Sequence, residues 1–440
     1  MTNGFRVAID AQIAPGTSGG VALFVRSLVR ALGRLTDGPE SYTIIVNSTQ
    51  QSDWLSPHLG PNQTLVMKSQ WRPDSKPPFL VRALRPLRPA VRYMRRLMDS
   101  RIWPEVPLSD GFYESLGCDV LHIPTQNFIL CALPTIYNPH DLQHLHYPQF
   151  WTPSVIAWRE TVYPAGCYFA HTVVVGSEWV KNDVVRHYRV APDKVQVIRE
   201  APSTESFPEP TREHRSAIRQ RYELNQPFAL YPANTWSHKN HIRLLQALAH
   251  LRHKRGLHIH LVCSGSRYER HWPPIEACIN QLQLWRQVKF LGFVPEDDLR
   301  AIYSLASFLV LPSLFEANSL PIFEAWLEGI PVSCSNIPAL LEQVGDAAYL
   351  FDPMQITSIA DAVSTLATDA LLREDLRARG YQQLKEFNWE RTAKTYRAVY
   401  RRAAGYLLND EDRWLLNNHG MPAPHGTMEY REPCQDSLSR

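Results

Sequence analysis

Two glutamates eight positions apart, Glu316 and Glu324, bracket the strongest chemical signal in the chain, Phe315-Glu-Ala-Asn-Ser-Leu-Pro-Ile-Phe-Glu-Ala325. The segment follows an apolar run ending at Leu311, and Asn318 and Ser319 ahead of Pro321 mark a helix start. Free N–H groups and the dipole at such a start favour an anion, most simply a phosphate. A carboxylate beside a phosphate is unfavourable unless it faces neutral hydroxyls, so sugar or ribose hydroxyls are its natural partners. A second glycine-bearing turn, Pro15-Gly-Thr-Ser-Gly-Gly-Val21, joins a strand to a helix and lets backbone approach a ligand. It is not Gly-x-Gly-x-x-Gly, which argues against a nicotinamide or flavin site. Asn138-Pro-His-Asp-Leu-Gln-His-Leu-His-Tyr147 carries histidines 140, 144 and 146. No strand or helix period brings all three to one carboxylate, so no metal is expected. Asp410-Glu-Asp412 follows no strand and is not read as a metal motif.

These residues need elements to position them, and the chain alternates short apolar runs with helical periods. Residues 6–10, 42–47, 119–123, 172–176 and 195–198 read as buried strands, and 20–35 shows helical spacing through Val21, Phe24, Val25, Leu28 and Leu32. Ser177 reads as the cap of a helix running to about Tyr188. Periodicity lapses into Pro, Ser, Thr and Glu around 202–227, read as a linker. It then resumes with strands at 228–231, 258–262, 288–291, 308–311, 331–334 and 348–351. Such a series predicts parallel sheets covered by helices on both faces, in two doubly wound α/β domains.

The length of 440 residues also favours two or three domains. Hydrophobic residues at 44% and charged residues at 20% exclude wholesale disorder. A net charge of +3 argues against a dedicated nucleic-acid binder. The seven cysteines have no CxxC spacing and are expected to be free thiols. No apolar run nears the roughly 20 residues that span a bilayer, and no signal-peptide core is evident, so a cytoplasmic protein is expected. Charge is uneven, however. Within 71–101, Arg82, Arg85, Arg88, Arg92, Arg95 and Arg96 interleave with Leu84, Leu87, Val91, Met94 and Leu97, as in a helix lying on anionic lipid, with Pro86 and Pro89 breaking its start. A protein contact or a solvated basic face is the other reading.

Taken together, Glu-x7-Glu on a strand–loop–helix resembles the signature of retaining GT-B glycosyltransferases of the large family-four group. Leu291-Gly-Phe-Val-Pro-Glu-Asp-Asp-Leu-Arg-Ala-Ile-Tyr303 resembles its segment beside the nucleotide base, which brings in Val294. Glu328-Gly-Ile-Pro-Val-Ser333, Leu350-Phe-Asp-Pro353 and Phe387-Asn-Trp-Glu-Arg-Thr392 resemble its later strand, loop and closing helix. The resemblance runs from about residue 6 to 402. It implies two Rossmann-like domains facing a cleft: 1–203 on the acceptor side, 204–385 binding nucleotide sugar, and a closing helix at 386–404. Charge adds a basic insert at 68–101, and a composition rich in Asn, Pro and Gly a poorly ordered tail at 405–440.

The resemblance assigns roles as well. Glu324 would hold the ribose and Glu316 the donor sugar, while the backbone of Asn318, Ser319 and Leu320 offers N–H donors. The family's loop glycines are replaced in Glu316-Ala-Asn-Ser-Leu-Pro321, which makes any positive φ there harder to adopt, Asn318 tolerating it best. Lys239 matches the diphosphate lysine, but Ala233 stands where an arginine is usual. Either Asn234 and His238 supply donors, or Lys239 and the helix start suffice. Gly19 and Gly20 would face the donor diphosphate and acceptor. His140 would lie near the reactive sugar carbon, with Asp141 orienting it or capping the next helix, and His144 and His146 structural or acceptor-side. The implied activity is hexose transfer, with mannose from GDP-mannose as the leading donor, to a glycan or lipid-linked glycan of the bacterial envelope, without a metal cofactor. The alternatives are a differently acting GT-B protein, such as a sugar epimerase or phosphorylase, or a non-catalytic assembly partner.

Overall fold

The computed structural model describes residues 4–13, 19–71, 106–203 and 209–418. The basic segment 72–101 and residues 14–18 of the glycine turn lie outside that set.

Among the described residues, thirteen strands form two sheets, and every strand pair is parallel. The first sheet holds β1 (Phe5–Asp10), β2 (Glu40–Val46), β3 (Gln63–Met67), β4 (Val120–Ile123), β5 (Thr135–Tyr137), β6 (Thr172–Val175) and β7 (Val195–Val197). Their spatial order is β3-β2-β1-β4-β5-β6-β7. In the second, β8 (Phe228–Pro232), β9 (His260–Ser264), β10 (Val288–Phe290), β11 (Phe308–Leu311), β12 (Val332–Ser335) and β13 (Tyr349–Phe351) run in the order β10-β9-β8-β11-β12-β13. Most strands are largely apolar because helices cover both faces. Val7, Ile9, Leu121, Val173, Leu230, Leu309 and Val332 are fully buried or nearly so. The order reverses beside β1 in one sheet and beside β8 in the other, and open parallel sheets bind ligands at such reversals, beyond the strands' carboxyl ends. The two-domain α/β architecture expected from the alternation is therefore the one found.

Two parts of the chain differ from expectation. The stretch around 202–227 contains a helix, Arg212–Arg221, capped by the Thr211 hydroxyl accepting from the His214 N–H at 3.1 Å. Only Ile218 on it is buried, so it has almost no apolar face to betray it. The tail expected to be poorly ordered from 405 instead folds over 410–417 into a helix with a reciprocal cap between Asn409 and Asp412. Leu415 and Leu416 are buried there, and Asp412 accepts both 2.9 and 3.1 Å hydrogen bonds from Arg401, which also binds Glu40 at 2.6 Å. The Asp-Glu-Asp stretch is thus a helix cap and ion-pair partner.

The helix Trp389–Ala403 follows the second sheet in sequence but packs on the first. Its buried residues Ala393, Tyr396, Val399, Tyr400 and Ala403 recur at helical spacing and join Phe24, Val25 and Leu28 in one core. Polar groups fix its register. His122 on β4, whose pKa burial pulls down to about 3, is neutral. Its Nε2–H donates to Asn138 Oδ1 at 2.8 Å, and its Nδ1 accepts from the Tyr400 hydroxyl at 2.8 Å. The Asn138 amide donates to the Tyr396 hydroxyl at 2.7 Å.

Candidate functional site

The helix start at Gly19 and the loops that leave β5, β8 and β11 meet between the two sheets. Gly19 opens the helix Gly19–Arg34 with φ +55, a conformation glycine adopts without strain. A Cβ on Gly20 would lie 3.5 Å from Leu320 Cδ1, so two helix starts from different domains face each other across the cleft. The domains are tied around that point. Arg26 grips Glu296 through two 3.0 Å hydrogen bonds, the Tyr147 hydroxyl donates to the Leu314 carbonyl at 3.1 Å, and Glu342 accepts from Arg199 and from the Glu178 and Trp179 N–H groups at 2.9–3.0 Å.

On the C-terminal side, Lys239 Nζ lies 2.6 Å from Glu316 Oε1, with only 20% and 9% of the two side chains exposed. The chain reaches Lys239 because Asn240 turns it with φ +60 and donates its amide to the Pro312 and Pro353 carbonyls, both at 2.9 Å. This buried amide ties the β8 loop to the β11 loop, a positioning role that reading the sequence missed. Glu324 is 6% exposed on the helix Leu320–Leu327. It accepts from the Tyr303 hydroxyl at 2.7 Å and the Ser203 hydroxyl at 3.4 Å, and burial raises its pKa. Its partners in the fold are thus two protein hydroxyls. Val294, 5% exposed, lies in the turn between Gly292 at φ +74 and the cap residue Pro295.

Other expected residues sit differently. No residue from 316 to 320 has a positive φ, so the missing loop glycines cost nothing in backbone conformation. The Ser319 N–H is not an anion donor, because Gln343 Oε1 accepts it at 2.9 Å while the Gln343 amide donates to the Ser319 carbonyl. Asn318 and Leu320 are left to present N–H groups at that helix start. Asn234 Oδ1 is occupied by the Ser266 N–H at 2.7 Å, which leaves its NH2 group as the part able to meet a ligand. Burial and the neighbouring Lys239 push the His238 pKa far down, so this ring offers a hydrogen bond and no charge. Ala233 is packed tightly, since a Cβ on Gly265, at φ +121, would come 2.6 Å from its carbonyl carbon.

The three histidines of the β5 loop diverge. His140, at φ +64, donates from Nε2 to the Pro124 carbonyl at 3.0 Å and stands edge-on to Phe24, with burial lowering its pKa. Nδ1 is then its accepting nitrogen. Asp141 caps the following turn through the Gln143 N–H at 3.0 Å and does not orient His140. His144 is buried against Tyr163, and His146 pairs with Asp183 at 2.8 Å.

Two cleft residues went unnoticed in the sequence. Arg159, 6% exposed, stacks on Trp151 at 4.0 Å and binds Asp141 at 3.3 Å, and its charge is felt at His238 across the cleft. Glu200 accepts from the Asn318 amide at 3.3 Å, and burial lifts its pKa to about 7. Its raised pKa gives stability that is present below the ordinary carboxylate range and lost as pH climbs through about 7. Glu200→Gln is accordingly expected to melt higher than the parent at pH 8, with the advantage vanishing near pH 5. Equal melting differences at both values would remove the buried-carboxyl assignment.

Comparison with known proteins fits this geometry. Residues 18–206 match the profile "Glycosyltransferase Family 4" and residues 214–383 match "Glycosyl transferases group 1", together most of the chain. The chain is 30% identical over 255 residues to the Escherichia coli O-antigen chain mannosyltransferase B, covering 57% of this chain and 66% of that protein. It is 25% identical over 289 residues to the E. coli serotype-specific mannosyltransferase WbdA, covering 65% of this chain and 34% of WbdA. The chain thus spans about two thirds of the first relative and one third of the second. In fold it is similar to Anabaena HepE in complex with UDP and glucose, with a TM-score of 0.65, 16% identity, and coverage of 90% of this chain and 100% of that one. Two parallel-sheet domains facing a cleft, and two family profiles laid one on each, make this chain a member of the family-four, group 1 glycosyltransferases of GT-B fold.

Proposed function

We propose that the protein transfers a hexose from a nucleotide sugar to a glycan hydroxyl with retention of anomeric configuration. Mannose from GDP-mannose is the leading donor, and the acceptor is a glycan or lipid-linked glycan of bacterial envelope polysaccharide. The observation that carries this reading is the Lys239–Glu316 pair beside the helix start at Leu320, which faces Gly20 across the cleft. A cation and N–H groups suit the departing diphosphate, and the carboxylates suit hydroxyls. The bond from the anomeric carbon to phosphate oxygen breaks, and the acceptor oxygen bonds to the same face. The acceptor's proton passes to the departing phosphate, so no strong protein base is needed. His140 would sit beside the reacting carbon. The mannosyl donor is supported by the two relatives named as mannosyltransferases.

Among the described residues, no helix is long and apolar enough to cross a membrane. Peripheral attachment at the cytoplasmic membrane face is our reading of the segment 71–101, supported by its charge: 68–101 holds ten Lys/Arg against two Asp/Glu.

A thermal-shift screen against GDP, UDP, ADP and their sugars tests the donor. Ligand at 100 times its dissociation constant stabilises by about 2.7 kcal/mol. GDP and GDP-mannose should give the largest shift. A response to UDP compounds alone would replace the donor, and no response to any nucleotide would favour a non-catalytic partner. His140→Ala should lower turnover with GDP affinity near normal, and an unchanged rate in a folded variant would take His140 out of the site.

A further inference from the structure

We propose that His146, Asp183 and His187 bind one divalent transition-metal ion, with zinc as the reference ion, at a place separate from the donor residues. His146 Nε2 lies 2.8 Å from Asp183 Oδ2, and His187 Nε2 lies 3.2 Å from Asp183 Oδ1. The ligand atoms of all three lie within 4.8 Å of one another. Asp183 and His187 are four residues apart on the helix Glu178–Tyr188, hence on one face. His146 arrives from the end of the turn Gln143–His146.

The chemistry of this set selects the ion. Two imidazoles and one carboxylate suit zinc, nickel, cobalt or copper, whereas magnesium and calcium want oxygen alone. Three protein ligands leave a fourth position for water. The burial pattern fits an ion entering from solvent: the Asp183 side chain is 7% exposed at the floor, while the two imidazoles at the mouth are 31% and 36% exposed. One wall is apolar, with the Trp179 ring 5.4 Å and the Phe315 ring 5.5 Å from the His146 ring.

Phe315 gives the site a consequence. It immediately precedes Glu316, and Tyr147, next to His146, donates to the Leu314 carbonyl. An ion that fixes the His146 ring therefore ties the β5 loop to the helix Glu178–Tyr188, at the point where that loop already touches the β11 loop of the other domain. The bound ion is a brace between that loop and that helix and takes no part in the transfer step.

The experiment uses tag-free full chain, stripped with chelator and dialysed, titrated with zinc chloride by calorimetry. One equivalent should bind saturably. His187→Ala and Asp183→Asn should each weaken binding at least tenfold, while His253→Ala, an exposed histidine elsewhere, should leave it unchanged. The cobalt-loaded protein should show visible d–d absorption that His146→Ala abolishes. Absence of saturable zinc binding in the parent overturns the site and leaves the three residues as a hydrogen-bonded cluster. Parent-like zinc affinity in folded His187→Ala overturns it equally.

Discussion

Glu324→Ala is expected to raise the dissociation constant for the nucleotide donor roughly 10- to 100-fold, the loss of a hydrogen bond to a charged group worth about 1.5–3 kcal/mol. The expectation rests on where the carboxylate sits. It is 6% exposed, held on a short helix at the carboxyl edge of the second sheet, and already surrounded by hydroxyl donors from Tyr303 and Ser203. The same contacts supply a competing explanation, because truncation also strands the Tyr303 hydroxyl, which is buried with its acceptor gone. Tyr303→Phe separates the two. It removes the internal hydrogen bond but leaves the carboxylate, so donor affinity should change little. If Tyr303→Phe weakens the donor as much as Glu324→Ala, then Glu324 acts by holding the loop in place. The measurement is nucleotide affinity by calorimetry on variants whose melting temperatures are first compared with the parent.

How far such a site can be read in a sequence depends on whether local signals carry it. Most strands of both domains were legible because they are buried on both faces and so read as short, mainly apolar runs. Two were not. β3 lies at the sheet edge and starts with Gln63 and Thr64, while β5 is three residues long behind Pro134, too short for any period. Glu316, Glu324 and Lys239 were legible because helix starts and spacing in the chain mark them. The 2.6 Å contact between Lys239 and Glu316 was not, since 77 residues separate them and only the β8–β11 pairing brings them together. The same limit hid the metal-ligating candidates. His146 looked like one of three histidines in its own loop, but its partners come from a helix some 37 residues later. Glu200 and Arg159 belong to no local pattern. Their chemistry arises only from burial against the cleft.

Lys239→Ala is expected to lower turnover by about 100- to 1,000-fold, the range seen when a group stabilising transition-state charge is removed. Nucleotide affinity should fall much less, because the ammonium matters most when the diphosphate gains charge on leaving. Its 2.6 Å contact with Glu316 complicates the single variant. With Lys239 gone, Glu316 keeps a carboxylate only 9% exposed, with no cation against it and close to where the anionic donor would lie. Part of the loss would then be repulsion by Glu316. The double variant Lys239→Met with Glu316→Gln removes both charges and keeps the volume. If Lys239 served only to neutralise Glu316, the pair would recover most of the turnover lost in the single variant. If Lys239 stabilises the departing diphosphate directly, the double variant stays as slow as Lys239→Met alone. We expect the second outcome, because charge develops on the phosphate and only a cation offsets it there, whereas a neutral amide in place of the Glu316 carboxylate supplies none.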